Sequence, residues 1–316
     1  MALLIVISDM KGLVLKSMGS TYRVKVASEQ TVDCGLRGKF RIAGMKLTNP
    51  VAVGDFVEVE ALQEGTFVIT AIHERKNYII RKAVNLSKQY HILASNVDLA
   101  ILVVTIDQPA TSFEFIDRFL VTAEMYQIPV LILINKIDLC GDKQMDRLTE
   151  LISIYEEIGY EIKLVSVLKK QNLKVVKALC KGKTTAFFGH SGVGKSSLLN
   201  EMVVGYTQTT AEISEMHQQG VHTTTFAEML PLENGGYVVD TPGIKGLGVV
   251  DVEKSELAHY FREFLALKSN CRFSDCAHIK EPKCAIKEAV ETGEISPWRY
   301  RSYLSMYDDG QDNLYR

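Results

Sequence analysis

Residues 189–196 have the residue types and spacing of a loop that binds phosphate. The stretch consists of Gly189, His190, Ser191, Gly192, Val193, Gly194, Lys195 and Ser196, and Ser197 follows it. It fits the pattern Gly, any four residues, Gly-Lys-Ser/Thr, whose glycines let backbone N–H groups face a phosphate. Lys195 would reach the β- and γ-phosphates, and the Ser196 hydroxyl would bind Mg²⁺. The alternative is a glycine turn that carries a solvated lysine.

A second motif, Asn135-Lys136-x-Asp138, resembles the guanine-specificity signature of GTP-binding proteins. The Asp138 carboxylate could accept hydrogen bonds from guanine N1–H and the exocyclic amine, which adenine does not offer in that arrangement. Asn135 would join this segment to the phosphate loop, and the aliphatic stem of Lys136 would lie along the base. Ser166 falls where such proteins carry another loop that contacts the base.

Two segments after the phosphate loop could hold a metal ion and sense the γ-phosphate. The stretch 220–225 ends in three consecutive threonines, of which we favour Thr224 as an Mg²⁺ ligand. Asp240 follows an apolar strand and would hold the same ion through water. The N–H of Gly243 would contact the γ-phosphate.

His222 is the candidate for the residue that positions the attacking water. Ras-type enzymes use a glutamine next to this glycine, whereas Ile244 here cannot hydrogen-bond through its side chain. We therefore expect slow intrinsic hydrolysis that rises when a partner orders these loops, with Lys195 and Thr224 completing the catalytic set. The alternative for His222 is a solvated loop histidine.

Three cysteines and a histidine cluster near the C-terminus, as Cys271, Cys276, His278 and Cys284. Three thiolates and one imidazole supply the ligands of a closed tetrahedral structural zinc site. The helical segments around them carry too little apolar sequence for a large core, so a metal would add needed stability. The alternative is buried cysteines beside a surface histidine.

Apolar strands and helical segments alternate between residues 92 and 248. The run 98–105 is nearly continuous in apolar residues, the run 130–134 is apolar, and the stretch 113–126 between them is amphipathic. This alternation predicts βαβ units and a mainly parallel sheet whose strand ends carry the ligand site. Because Asn135 precedes the phosphate loop, the motif order of a Ras-like domain is circularly permuted. A lysine-rich stretch at 169–183 is either a solvated amphipathic helix or an RNA-facing surface.

The N-terminal part reads as short strands separated by turns, one of them at Cys34-Gly35. The strands are predicted at 12–15, 22–26, 39–42, 56–60 and 66–72, which favours a five-stranded OB-like barrel. Basic residues mark its middle and its exit: Arg37, Lys39, Arg41, Lys46, Arg75, Lys76, Arg81 and Lys82. With Tyr78 among them, they indicate an RNA-binding surface. The alternative is a solvated surface with Tyr78 packed inward.

Composition narrows the class of protein. The 316 residues are 47% hydrophobic with a formal net charge of -2, which suits a globular protein of two or three domains. No global basic field points to nucleic acid, so RNA binding would use local patches and DNA binding is not expected. The apolar run 3–7 is too short to span a membrane and does not form an export signal, which predicts a cytoplasmic protein.

Together these motifs resemble the RsgA/YjeQ family of circularly permuted GTPases. The resemblance implies an OB-like β-barrel at 1–82, a circularly permuted GTPase domain at 92–248 and a helical zinc-binding domain at 249–316. It also implies GTP, GDP, Mg²⁺ and one structural Zn²⁺ as ligands. The expected partners are the 30S ribosomal subunit and its 16S rRNA, and the protein is expected to be a monomer.

The family further implies hydrolysis that the 30S subunit stimulates late in its maturation, and release of the factor afterwards. Two other classes stay open from the residues alone. One is a permuted GTPase that acts on a different assembly, and the other is an RNA-binding module that uses nucleotide only as a structural ligand.

Overall fold

Five strands near the N-terminus close into a barrel in the computed structural model of the protein. They are β1 (Met10–Ser17), β2 (Tyr22–Val26), β3 (Thr31–Leu36), β4 (Phe56–Ala61) and β5 (Phe67–Ile72). The strands pair in the order β1-β2-β3-β5-β4, and β4 pairs back to β1. All of these pairs are antiparallel except β3 with β5. This closure confirms the predicted OB-like barrel.

The structure describes residues 10–26, 30–37, 49–62, 65–82, 90–203, 205–206, 227–240 and 252–312. These residues form two compact units. One contains the described residues within 1–99, 177–187 and 196–244, and the other those within 100–176, 188–195 and 245–316. Among the described residues, no helix combines the length and apolar character that crossing a membrane requires.

The predicted turn at Cys34-Gly35 is wrong. Strand β3 runs through both residues, and Cys34 pairs with Tyr22 while its side chain lies in the barrel core. Packing of the Cys34 side chain in the barrel core favours an extended strand here, and this outweighs the local preference of Gly35 for a turn. The strand predicted at 39–42 lies outside the described residues.

After the barrel in sequence comes an antiparallel hairpin of β6 (Tyr78–Lys82) and β7 (Tyr90–Ser95). The same unit contains β11 (Thr184–Phe188) except for its last residue, together with β12 (Glu228–Pro231) and β13 (Tyr237–Asp240). Strand β11 is parallel to β13, and β12 is antiparallel to it. Strand β12, which the sequence did not predict, also pairs with β1 of the barrel at Glu228 and Lys16.

The other unit, from Ala100 onward, contains a parallel sheet of β8 (Leu99–Thr105), β9 (Val130–Asn135) and β10 (Glu161–Leu164). Every residue of β8 and β9 is buried, as their continuous apolar sequences require for a sheet covered on both faces. The helices that alternate with these strands are α1 (Phe113–Met125), α2 (Asp142–Glu157) and α3 (Leu173–Leu179). Helix α4 (Lys195–Met202) follows β11.

The C-terminal region, residues 252–312, is helical. It contains α5 (Lys254–Leu257), α6 (Arg262–Leu267), α7 (Ala285–Thr292) and α8 (Pro297–Asp312). The helical segments between 254 and 267 are separated at Phe261, whose backbone is extended. The break lets the Phe261 ring enter the core beside Phe264 and Tyr303, so packing overrides local helix preference.

Candidate functional site

The predicted phosphate loop lies directly after β11 and continues into α4. Backbone φ is +139° at Gly189 and +99° at Gly194, in the range that favours glycine. A Cβ at Gly189 would lie 2.2 Å from the carbonyl oxygen of Val103, and one at Gly194 would lie 2.3 Å from Asn135 Nδ2. Both glycines are therefore required by close packing as well as by backbone angle.

The Lys195 ammonium lies over this loop. Its Nζ donates to the carbonyl oxygens of Gly189, at 2.6 Å, and His190, at 2.5 Å. Burial lowers the pKa of Lys195 to about 8, so the side chain is still mostly protonated at neutral pH. A cation held at a glycine-rich loop that leads into the N-terminus of a helix is suited to an anionic ligand.

Asn135 joins the predicted base-recognition segment to the phosphate loop. Its Nδ2 donates to the Val193 carbonyl at 2.8 Å, and its Oδ1 accepts from the Val167 N–H at 3.2 Å. The side chain is buried at the end of β9, where a parallel sheet presents its ligands. One amide therefore links three loops that are far apart in sequence.

Ser166 lies beside Asp138, where its hydroxyl donates to the Asp138 carboxylate. The hydroxyl oxygen accepts from the Lys169 N–H at 3.1 Å, and Ser166 is fully buried. Asp138 is exposed, and a carboxylate can accept more hydrogen bonds than the one from Ser166. Lys136 donates to the Gln108 carbonyl at 2.6 Å, a contact that no sequence motif signalled.

The structure describes only some of the residues that were predicted to hold Mg²⁺ and contact the γ-phosphate. Ser196 lies in the first turn of α4, and Asp240 ends β13. The Tyr206 hydroxyl donates to Asp240 Oδ2 at 2.5 Å, a partner that the sequence did not reveal. The other residues predicted here lie outside the described residues: His222, Thr223, Thr224, Thr225 and Gly243.

The four predicted zinc ligands lie together. The ligand atoms of Cys271, Cys276, His278 and Cys284 are all within 4.8 Å of one another. His278 Nδ1 lies 3.6 Å from Cys271 Sγ and 3.4 Å from Cys284 Sγ, and these two sulfurs are 4.0 Å apart. A tetrahedral ion with Zn–S bonds of about 2.3 Å places its ligands about 3.5–3.8 Å apart. The donor set and its spacing therefore fit Zn²⁺.

Neighbouring side chains fix the loop that carries His278. Glu281 accepts from the N–H groups of Ala277, Ile279 and Lys280 at 2.9–3.0 Å. From α8, Tyr300 donates to the His278 carbonyl at 2.7 Å, and Tyr303 donates to the Ala277 carbonyl at 2.8 Å. The sequence did not reveal the role of Tyr300 and Tyr303, because two tyrosines on a helix belong to no metal-binding motif.

Arg75 was predicted to lie on an RNA-facing surface, but its side chain is largely buried. Its side chain is 10% exposed and makes two bonds of 2.6 Å to the buried carboxylate of Asp55, which also accepts from the Ser95 hydroxyl. Asp55 therefore joins Arg75 to the end of β7, and Arg75 is largely buried against it instead of facing solvent or RNA. Arg37 pairs with Glu60 and Lys76 with Asp98, and both cations are exposed. Tyr78 is partly buried.

The remaining basic residues of that prediction are not described at side-chain level. The structure omits Lys39, Arg41 and Lys46, and of Arg81 and Lys82 it gives the backbone in β6 alone.

Residues 72–250 match the RsgA GTPase family, and residues 11–69 match the RsgA N-terminal domain. Two proteins called small ribosomal subunit biogenesis GTPase RsgA are similar to this chain. The one from Bacteroides fragilis strain YCH46 is 50% identical, with 97% of this chain and 99% of the relative covered. The one from Flavobacterium psychrophilum is 49% identical, with 97% and 95% covered.

Two solved structures share the fold. YjeQ from Thermotoga maritima is 37% identical with a TM-score of 0.79, covering 98% of this chain and 100% of that one. YloQ, described as a circularly permuted GTPase, is 33% identical with a TM-score of 0.75, and both chains are covered completely. These matches cover nearly all of the chain, and Asn135 to Asp138 precede the phosphate loop as in a circularly permuted GTPase. The protein therefore belongs to the RsgA GTPase family and is a GTP-hydrolysing enzyme of circularly permuted fold.

Proposed function

We propose that this protein acts late in maturation of the small (30S) ribosomal subunit. It binds the subunit through 16S rRNA and hydrolyses GTP when the subunit stimulates it, which triggers its own release. The names of relatives that are about 50% identical support the partner. The protein acts as a monomer in the cytoplasm, through a barrel at 1–82, a GTPase domain at 92–248 and a zinc-binding domain at 249–316.

The link made by Asn135 is the observation that carries the GTP site. Because this amide bonds to the phosphate loop, a nucleotide held at residues 189–197 has its base beside Asp138. Asp138 accepts from guanine N1–H and the exocyclic amine, and Ser166 holds that carboxylate in place. The stem of Lys136 lies along the base, and Lys195 exchanges its two carbonyl contacts for phosphate oxygens.

Membership of a GTPase family implies the use of GTP, GDP and Mg²⁺. The ion, when bound, would neutralise the negative charge that develops on the transferred phosphoryl group. Ser196 and Thr224 would hold it directly and Asp240 through water. The Gly243 N–H contacts the γ-phosphate, and His222 positions the attacking water because Ile244 cannot. The four ligands at Cys271, Cys276, His278 and Cys284 hold a structural Zn²⁺, which fits their spacing.

Steady-state GTP hydrolysis by the full chain tests the proposal, measured alone, with 30S subunits and with 50S subunits. We expect slow turnover that rises strongly with 30S alone. Equal rates in all three reactions, with GTP still bound, would move the function to another partner. His222→Ala should remove most of the stimulated turnover and leave GTP affinity unchanged, and full stimulation in this variant would eliminate His222 from the mechanism.

Nucleotide affinity tests the GTP site separately. Lys195→Ala should lower GTP affinity by roughly 100-fold, since hydrogen bonds to charged groups contribute about 1.5–3 kcal/mol each. Lys181→Ala is the matched control, because Lys181 is an exposed lysine before β11. This variant should bind GTP as tightly as the unmodified protein does. Asp138→Asn should weaken GTP binding more than xanthosine triphosphate binding, because xanthine presents a carbonyl where guanine has its amine.

A further inference from the structure

The C-terminal region is joined to α1 by a buried arginine. The Arg299 side chain on α8 is 1% exposed, and its Nη1 lies 2.6 Å from Asp117 Oδ1 on α1. Its Nε and Nη2 donate to the two carboxylate oxygens of Glu263 on α6, at 2.7 and 3.1 Å. The Tyr155 hydroxyl from α2 also donates to Asp117, at 2.8 Å. One guanidinium therefore ties α8 and α6 to a helix of the nucleotide-binding part.

The same helix α8 holds the predicted zinc loop. Tyr300 and Tyr303 come one and four residues after Arg299, and they donate to the carbonyls of His278 and Ala277. The His278 ring also packs near the rings of Phe264 and Tyr303. The position of α8 and the position of the ligand loop are therefore fixed by the same contacts.

The opposite side of α1 contacts the phosphate loop. The ring centroids of Phe115 on α1 and His190 in the loop are 3.6 Å apart. Phe115 and Asp117 are two residues apart on a helix, so their side chains leave it in nearly opposite directions. Helix α1 is thus packed between the loop on one side and Arg299 on the other.

We infer that metal binding at the cysteine–histidine cluster and nucleotide binding at the phosphate loop are coupled through α1. The bound metal fixes the loop that carries His278 and, with it, the position of α8. Arg299 on α8 then holds Asp117 of α1 in place, and Phe115 of α1 supports His190 in the phosphate loop. Coupling between two sites is reciprocal, so bound nucleotide raises the affinity of the cluster for metal by the same factor. This inference rests on the proposed function, because it takes nucleotide at residues 189–197 and Zn²⁺ at the cluster.

Equilibrium binding to the full chain tests the inference. The affinity for fluorescent GDP is measured in zinc-loaded and zinc-stripped protein, with zinc content determined by atomic emission. The affinity for Zn²⁺ is measured in chelator-buffered solutions with and without GDP. Coupling between sites typically changes affinity by about 5- to 150-fold. We expect GDP to bind at least 5-fold more weakly without zinc, and Zn²⁺ affinity to rise by the same factor with GDP.

Phe115→Leu separates the route through α1 from a general loss of packing. This variant leaves the four ligands and Arg299 intact, so it should bind Zn²⁺ normally without GDP and show a coupling factor near 1. Phe273→Leu is the matched control, since Phe273 is an exposed aromatic beside Cys271 and should keep the full factor. If zinc-free protein loses its C-terminal packing in general, the coupling factors of Phe115→Leu and Phe273→Leu should change alike, so a difference between them still reports the route through α1.

The outcomes distinguish the two proposals. A chain that binds no GDP or no Zn²⁺ contradicts the proposed sites themselves. A chain that binds both with unchanged affinities overturns the coupling alone. Equal coupling factors in Phe115→Leu and the unmodified protein overturn the route through α1.

Discussion

The barrel and the C-terminal region are attached to their neighbouring strands and helices in different ways. Within one unit, the barrel meets β12 through Lys16 and Glu228, whose side chains are 30% and 38% exposed, and β13 through Lys25 and Tyr237. Within the other, the C-terminal region meets α1 through Arg299 and Asp117, which are fully buried. Exposed pairs contribute about 0–1 kcal/mol, whereas breaking a buried pair costs about 3–5 kcal/mol. The C-terminal region therefore shares its stability with α1, and the barrel depends mainly on its own core.

Arg299→Met should give the largest effect. Asp117 and Glu263 would be left as buried charges without their cation, so we expect a loss of about 3–5 kcal/mol in unfolding free energy. Urea unfolding followed by the fluorescence of Trp298, the single tryptophan, measures it. Arg301→Met is the control, because Arg301 is exposed on the same helix. Equal losses in both variants would contradict the distinction between buried and exposed cations.

Arg75→Met tests whether the barrel has a comparable buried pair of its own. Asp55 would lose both guanidinium bonds while staying fully buried, so a loss of about 3 kcal/mol is expected. Hydrogen–deuterium exchange of the β4 and β7 amides reports this opening. Lys76→Met provides the comparison, since Lys76 is 62% exposed beside Asp98, and its exchange should match that of the unmodified chain.

Glu281→Gln should weaken the predicted zinc loop by about 1 kcal/mol, because both carboxylate oxygens accept N–H bonds and the amide keeps one neutral acceptor. Burial alone would raise the pKa of Glu281, but backbone N–H bonds outweigh it and the pKa is lowered. A lowered folded pKa means that this stabilisation is complete above the ordinary value of about 4.3 and is lost as the pH falls below it. Unfolding midpoints between pH 3 and 7 should therefore fall more steeply for the unmodified chain than for the variant. Parallel pH profiles would show that Glu281 adds nothing through its charge, and Glu291→Gln is the exposed control.

Lys16→Met should give the smallest effect, below about 1 kcal/mol, because its partner Glu228 can be solvated when the cation is gone. Urea unfolding at low and high salt measures it, and added salt should shrink the difference further. A loss as large as that of Arg299→Met would mean that the barrel attachment is as strong as the C-terminal one.

The sequence predicted the strands and helices around the nucleotide motifs well. Runs such as those of β8 and β9 are apolar up to their last residues, Thr105 and Asn135, and such runs have few alternatives to a buried parallel strand. It failed at β3 and at β12, where the decisive interaction is strand pairing or burial against a distant part of the chain. Arg75 was misread for the same reason, because a charged residue in a sequence usually predicts exposure and its buried partner is not visible there.

The sequence by itself determined the chemistry of the sites. Short spacings defined the phosphate loop, the Asn135 to Asp138 segment and the four metal ligands, because such chemistry depends on residue types at fixed local positions. Only the tertiary structure decided how these parts are joined. Asn135 meets a loop 58 residues away, and Arg299 meets a carboxylate 182 residues away. Partners at that separation are chosen by packing of the whole core, which no local pattern encodes.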